Sequence, residues 1–306
     1  DIETTGLSRK YNYIYLIGVV YYDEVQNSWC LKQFFANQVE KEKELMETFN
    51  NFITKFHLII TYNGNSFDLP FIKYRLNKYS INSSIDNIDS FDIYREIRSN
   101  SSYLNFENLK LKTIEEHLGI YREDEYSGKD CVDFYYQFIN TGDNILKNRI
   151  LKHNYDDLYY LLDILIIFDY IKELKTINID YFDRKTKIEL KNIIIDGNIL
   201  SLVCKALIDD EEINIIYYEE TFNINWQNQN LIINLEIREG LITPTKKCLF
   251  LNKVNWPDNI KLKDMSQYMV PNNIILLKVE NKYEMENIKN LIKELINYIL
   301  NKNDRP

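Results

Sequence analysis

Cysteine is scarce in this sequence. The four present, Cys30, Cys131, Cys204 and Cys248, lie far apart, and none forms the close C-x-x-C pair of a zinc or redox site. Reduced, buried thiols are therefore expected. Long apolar runs are missing as well, since even Leu158 to Ile171 is interrupted by Asp163 and Asp169, which excludes a membrane-spanning helix there. With no signal peptide in view, a cytoplasmic location and no membrane partner are expected. Positive charge is in deficit: 37 Lys and Arg against 46 Asp and Glu leave a net charge of -9. That balance argues against a protein that grips nucleic acid by bulk electrostatics. It leaves room for acids that gather divalent cations and so reverse their own local sign. Eight glycines and five prolines are few for 306 residues, and no repeat or low-complexity linker breaks the chain. An apolar fraction of 45% excludes general disorder.

The length suggests two domains. Tyr13 to Tyr22 and Trp29 to Ala36 read as a hairpin around the turn Asp23 to Ser28. Glu40 to Phe56 carries Leu45, Met46, Phe49, Phe52, Ile53 and Phe56 at helical spacing. A short buried strand, Leu58 to Tyr62, stops at Asn63-Gly64, and Ser66 to Tyr79 resumes helical periodicity with Ser66 as a plausible N-cap. A strand near Ile88 to Tyr94 and helices near Leu109 to Leu118, Asp130 to Ile139 and Ile145 to Leu174 complete this half. The expected class is α/β, a mixed sheet flanked by helices over residues 1–175. A smaller β-rich domain with a C-terminal helix is expected over 176–306. Its strands are Asn198 to Ile208, Ile213 to Tyr218, Phe222 to Trp226, Leu231 to Ile237, Cys248 to Leu251 and Ile274 to Val279, with turns at Asp196-Gly197, Asp209 to Glu212 and Gln227 to Asn230. The helix runs from Glu284 to Leu300.

Three motifs carry carboxylates. Asp1-Ile2-Glu3-Thr4-Thr5-Gly6-Leu7 places two acids at i and i+2, on one face of a strand, where they can share a cation; the alternative is a polar strand end. The opening at Asp1, without an initiator methionine, already reads as a strand running out into a turn, so a truncated start is expected. Asn63 to Phe71 places Asp68 in the first turn of a helix, where the helix dipole alone would also favour an acid. His153-Asn154-Tyr155-Asp156-Asp157 sets His153 and Asp157 at i and i+4 on one helix face, beside an apolar stripe. Buried acids need a partner, which is a cation or a hydrogen-bonded neighbour.

Taken together and in order, these motifs resemble the DnaQ-like DEDD 3′-to-5′ exonuclease superfamily of the ribonuclease H-like fold, and most closely its YprB-type bacterial members, over roughly residues 1 to 172. The resemblance implies that Asp1, Glu3, Asp68 and Asp157 hold two divalent cations, Mg²⁺ or Mn²⁺, and that His153 occupies the general-base position. Here a histidine stands at the spacing where tyrosine is usual, and Tyr155, two residues on, faces elsewhere. The implied activity is metal-dependent phosphodiester hydrolysis at a single strand or 3′ end of DNA or RNA. Thr4, Asn63 and Phe67 complete the candidate set as substrate contacts, Phe67 either as a base-stacking platform or as core. Lys73, Arg75, Lys78, Lys147, Arg149 and Lys152 flank two motifs and either guide phosphates or form a solvated face. His57 and His117 read as structural. A noncatalytic nucleic-acid-binding or scaffold module and a structure-specific endonuclease are the other readings. Protein partners are unknown.

Overall fold

The computed structural model describes residues 1–122, 126–181, 184–208 and 213–303. The turn expected at Asp209 to Glu212 lies outside the described residues. Two compact units divide the chain, the first from Asp1–Ser99 and Glu107–Ile167, the second from Asn100–Phe106 and Phe168–Pro306.

In the first unit, strand β1 (Ile2–Thr4) pairs antiparallel with β2 (Ile14–Asp23), and β2 pairs with β3 (Ser28–Phe35). The hairpin falls within a residue of its expected bounds because β-branched and aromatic residues fill both strands, while Asn27 takes the left-handed backbone that the turn requires. Helix α1 (Glu42–Ile53) buries Leu45, Met46, Phe49 and Ile53 along one stripe. Strand β4 (Leu58–Thr61) leads through a turn into α2 (Asp68–Lys78), then to β5 (Asp89–Asp92), which pairs parallel with β4. Helices α3 (Ile93–Ser99), α4 (Leu111–His117), α5 (Gly128–Thr141), α6 (Asn144–Tyr159) and α7 (Ile167–Leu174) follow. A capping box of Ser127 and Asp130 starts α5, and Gly142 in the left-handed region ends it.

Three expectations need correction here. The residue before α2 is Phe67, with no side-chain cap; Ser66 lies inside the preceding turn, its N–H donating to Asn63 O. Strand β4 is not buried: Leu58 is 51% exposed and Ile60 38%. It does not pair with β2, and an apolar slot lined by Val19, Tyr21, Phe52, Leu58 and Ile60 runs between them. The long helix Ile145 to Leu174 is instead α6, a 3₁₀ turn at Asp163–Ile166, and α7. Buried Leu158, Leu161, Ile164 and Ile167 recur every third residue, which is the period of a 3₁₀ helix, and an α-helix would spread them around its axis.

The second unit contains β6 (Thr176–Tyr181), β7 (Arg184–Asp196), β8 (Ile199–Ala206), β9 (Asn214–Tyr218), β10 (Phe222–Gln227) and β11 (Asn230–Glu236), in the sheet order β6-β7-β8-β11-β10-β9. A second antiparallel sheet holds β12 (Arg238–Leu241), β13 (Lys247–Asn252), β14 (Ile274–Val279) and β15 (Lys282–Tyr283), and α8 (Met285–Asn303) closes the unit. Its core joins Leu202, Trp226 and Ile233 of the larger sheet to Leu291, Leu295 and Ile299 of α8. Strands β6 and β7 were not expected. In β7, Lys185, Lys187, Glu189 and Lys191 alternate with Ile188 and Leu190, which are buried, and the charges mask a period of two. The architecture is thus a mixed α/β half followed by a β-rich region that ends in a helix. Among the described residues no helix is long and apolar enough to cross a membrane.

Candidate active site

Strand β1 sets two acids by backbone pairing. Ile2 lies opposite Ile17 and Glu3 opposite Leu16, with a bulge between Glu3 and Thr4 that turns the chain out of the ladder. Asp1 is tied to Gly18 twice: its backbone nitrogen donates to Gly18 O at 3.2 Å, and Gly18 N donates to Asp1 O at 3.0 Å. Asp68, the first residue of α2, accepts from Ile2 N at 3.1 Å, so the start of α2 is fastened to β1. The turn before it is held from β5. Asp92, 5% exposed, accepts from Asn63 N at 2.9 Å and Asn65 N at 3.0 Å. Gly64 fits because a Cβ there would come within 2.5 Å of Thr61 Cβ.

Helix α6 brings His153 and Asp157 to the same place. His153 Nε2 lies 3.8 Å from Glu3 Oε1 and 3.9 Å from Asp157 Oδ2. One ligand atom from each of Glu3, His153 and Asp157 falls within 4.8 Å of the others, a grouping that could hold a metal ion. Arg122 approaches from outside α6, with Nη1 on Asp157 Oδ1 and Nε 3.0 Å from Oε2 of the buried Glu115. Glu3 is 8% exposed. Burial pushes its carboxyl up to about 8, with Asp157 adding to the rise. Burial also raises Asp68, against the hydrogen bond that it accepts from Ile2 N. Carboxylates whose ionisation is resisted by burial are ones that a hard cation would stabilise in the charged form, and an oxygen-rich donor set suits Mg²⁺ or Mn²⁺.

Asp1, Asp68 and Asp157 line one cleft of about 550 Å³, together with Asn63, Tyr62, Tyr94, Asn108 and Lys110. Of the residues singled out as substrate contacts, Asn63 is at this cleft and exposed. Phe67 packs edge-on against Phe71, 5.5 Å between centroids, beside the core of the first unit. Thr4 is buried and donates from Oγ1 to Gly6 O at 2.9 Å. The aromatic rings that the cleft offers are Tyr62 and Tyr94, 5.9 Å apart. Among the basic residues flanking the motifs, Arg75 is fully buried on Glu42 and so cannot guide phosphates. A cation loses too much hydration to be buried unpaired, and Glu42 supplies the pair. Lys73 pairs with Asp86, Lys152 with Asp156 and Lys147 with Asn37, while Arg149 lies over Tyr126 and Phe134.

Sequence reasoning missed Asp92 and Arg122. An acid immediately before a helical run was a legible N-cap signal for Asp92, whose Oδ1 also accepts from Arg95 N at 3.3 Å. Arg122, far from Asp157 in sequence, left no local signal.

Comparison with known proteins covers this same half of the chain. The uncharacterized protein YprB of Bacillus subtilis (strain 168) is 30% identical over 171 residues, which make up 54% of this chain and 40% of that protein. The chain therefore matches less than half of YprB's length. The family model of the RNase_H superfamily matches residues 1–168, the stretch that supplies β1, the Asp68 turn and α6. With that match covering more than half of its 306 residues, the chain belongs to the ribonuclease H superfamily.

Proposed function

We propose that this protein is a two-metal nuclease that removes nucleotides from the 3′ end of single-stranded DNA or RNA. Superfamily membership suggests a nuclease with nucleic acid as its substrate. The observation that carries the finer reading is the meeting of Asp1, Asp68 and Asp157, from three separate motifs, on one cleft, with Glu3 and His153 against Asp157. Phosphodiesters repel hydroxide, and bound Mg²⁺ or Mn²⁺ supplies the charge that offsets this repulsion at the attacking and leaving oxygens. Asp1, Glu3, Asp68 and Asp157 would hold the cations. His153, whose Nε2 lies beside Glu3 and Asp157, would take a proton from water. Tyr62 and Tyr94 offer rings for a terminal base and exposed Lys110 a contact for phosphate.

The test is digestion of 5′-labelled single-stranded DNA and RNA with Mn²⁺, Mg²⁺ or chelator, beside an Asp157→Ala variant. A metal-dependent ladder that shortens from the 3′ end, and is absent in the variant, is expected. Cleavage of a circular single strand would instead identify an endonuclease. Equal activity in Asp157→Ala would overturn the site.

A further inference from the structure

We propose that Asn154 is a positioning residue: it holds the Asp1 carboxylate toward the cleft, and Gln33 locks it in the sense that does so. The proposal rests on the reading of Asp1 as a metal ligand. Asn154 follows His153 on α6 but is fully buried, turned from the cleft toward β2 and β3. Its Nδ2 donates to Asp1 Oδ2 at 2.8 Å, and its Oδ1 accepts from Gln33 Nε2 at 2.9 Å. The same Gln33 nitrogen donates to the backbone carbonyl of Leu151 at 2.8 Å.

These bonds fix a direction. A side-chain amide can flip, exchanging its oxygen and nitrogen. The Leu151 carbonyl can only accept, so the Gln33 atom facing it must be nitrogen. That nitrogen also faces Asn154, whose atom there must then be oxygen. The Asn154 NH₂ is left pointing at Asp1. An acid-bearing strand end is thereby wired to α6 and β3, and one oxygen of an otherwise exposed carboxylate is tethered while the other stays available.

Gly18 makes the arrangement sterically possible. A Cβ at that position would lie 2.1 Å from Asn154 Oδ1 and 2.5 Å from Leu158 Cδ1. Only glycine lets α6 approach β2 closely enough for the amide to reach Asp1. Asparagine is also a poor helix former, so its place inside α6 needs a compensating role, and the two hydrogen bonds supply one.

Calorimetric titration with Mn²⁺ tests this without relying on turnover. The samples are the wild type, Asn154→Ala, Gln33→Met and Asp1→Ala with and without Asn154→Ala, each checked by thermal melting. Loss of an outer-shell partner should raise the Mn²⁺ dissociation constant by about tenfold in Asn154→Ala, with a smaller rise in the same direction in Gln33→Met. In the Asp1→Ala background, Asn154→Ala should add nothing, because the tethered group is gone. Gln33 is half-buried and methionine keeps its length, so this variant carries the test if Asn154→Ala does not fold. Unchanged Mn²⁺ affinity in a folded Asn154→Ala or Gln33→Met, or an equal effect with and without Asp1, overturns the positioning role alone. Absence of Mn²⁺ binding by the wild type overturns the metal-site reading and the proposal with it.

Discussion

Glu3 shows how a single carboxylate couples the site to stability. Its carboxyl lies near 4.5 in an ordinary setting and at about 8 in the fold, mainly through burial and then through Asp157. The folded state thus holds this proton more tightly than the unfolded state. The stability it contributes is present in full below about pH 4.5 and is lost as pH rises through about 8. Asp68, also raised by burial, acts in the same sense. In chelator, the melting temperature of the wild type should fall between these limits relative to Glu3→Gln, whose amide cannot ionise. Mn²⁺ should restore much of the loss by binding the ionised form. Parallel pH profiles for the two proteins would refute this. The acids themselves were legible residue by residue, because the two-residue period of a strand and the four-residue spacing of a helix put them on common faces. Their partners were not: Arg122, Asp92 and Gln33 act across elements, and no local pattern connects them to Asp157, Asn63 or Asn154.

Among the elements, α2 shows how a charged residue changes meaning with its environment. Arg75 and Lys73 lie on the same helix, yet Arg75 is buried on Glu42, with Tyr79 also donating to that carboxylate, while Lys73 reaches Asp86 at the surface. Glu42 further accepts from Ile14 N at 2.7 Å, which links α1, α2 and β2 through one carboxylate. Arg75→Ala should therefore cost about 3–5 kcal/mol, because it strands a buried charge. Lys73→Ala should cost at most about 1 kcal/mol, as for other exposed pairs. Urea unfolding of the two variants measures the difference, and similar midpoints would show that the buried pair is not a major tie. Amphipathic α1 and the β2–β3 hairpin could be read from periodicity. The break between α6 and α7 could not, because a window that counts apolar residues does not separate a period of three from one of 3.6 over so few turns.

The molecule as a whole divides in a way that no linear boundary captures. Residues 100–106 belong to the second unit although the chain on both sides of them belongs to the first. Tyr103 stacks on Tyr283 at 5.5 Å, Lys282 Nζ donates to Ser101 O at 2.9 Å, and Tyr283 N donates to Ser102 O at 2.8 Å. Tyr103→Ala should accordingly destabilise the second unit by roughly 3–5 kcal/mol at most, the range for emptying a large aromatic site, and by less where water refills it. Trp226 and Trp256, both buried in that unit, report its unfolding by fluorescence, whereas Trp29 is exposed in the first. An unchanged fluorescence midpoint would show that 100–106 merely passes by.

By itself the sequence determined the α/β character of the first half, the β-rich character of the second, and the acids that face one side of their own strand or helix. Those features follow from local periodicity and from the cost of burying charge, both written in neighbouring residues. Only the tertiary structure decided that Arg75 is buried, that the cleft's rings are Tyr62 and Tyr94, and that Asn154 reaches Asp1. Each of these depends on which elements pack together, and packing joins residues whose separation in the chain carries no signal.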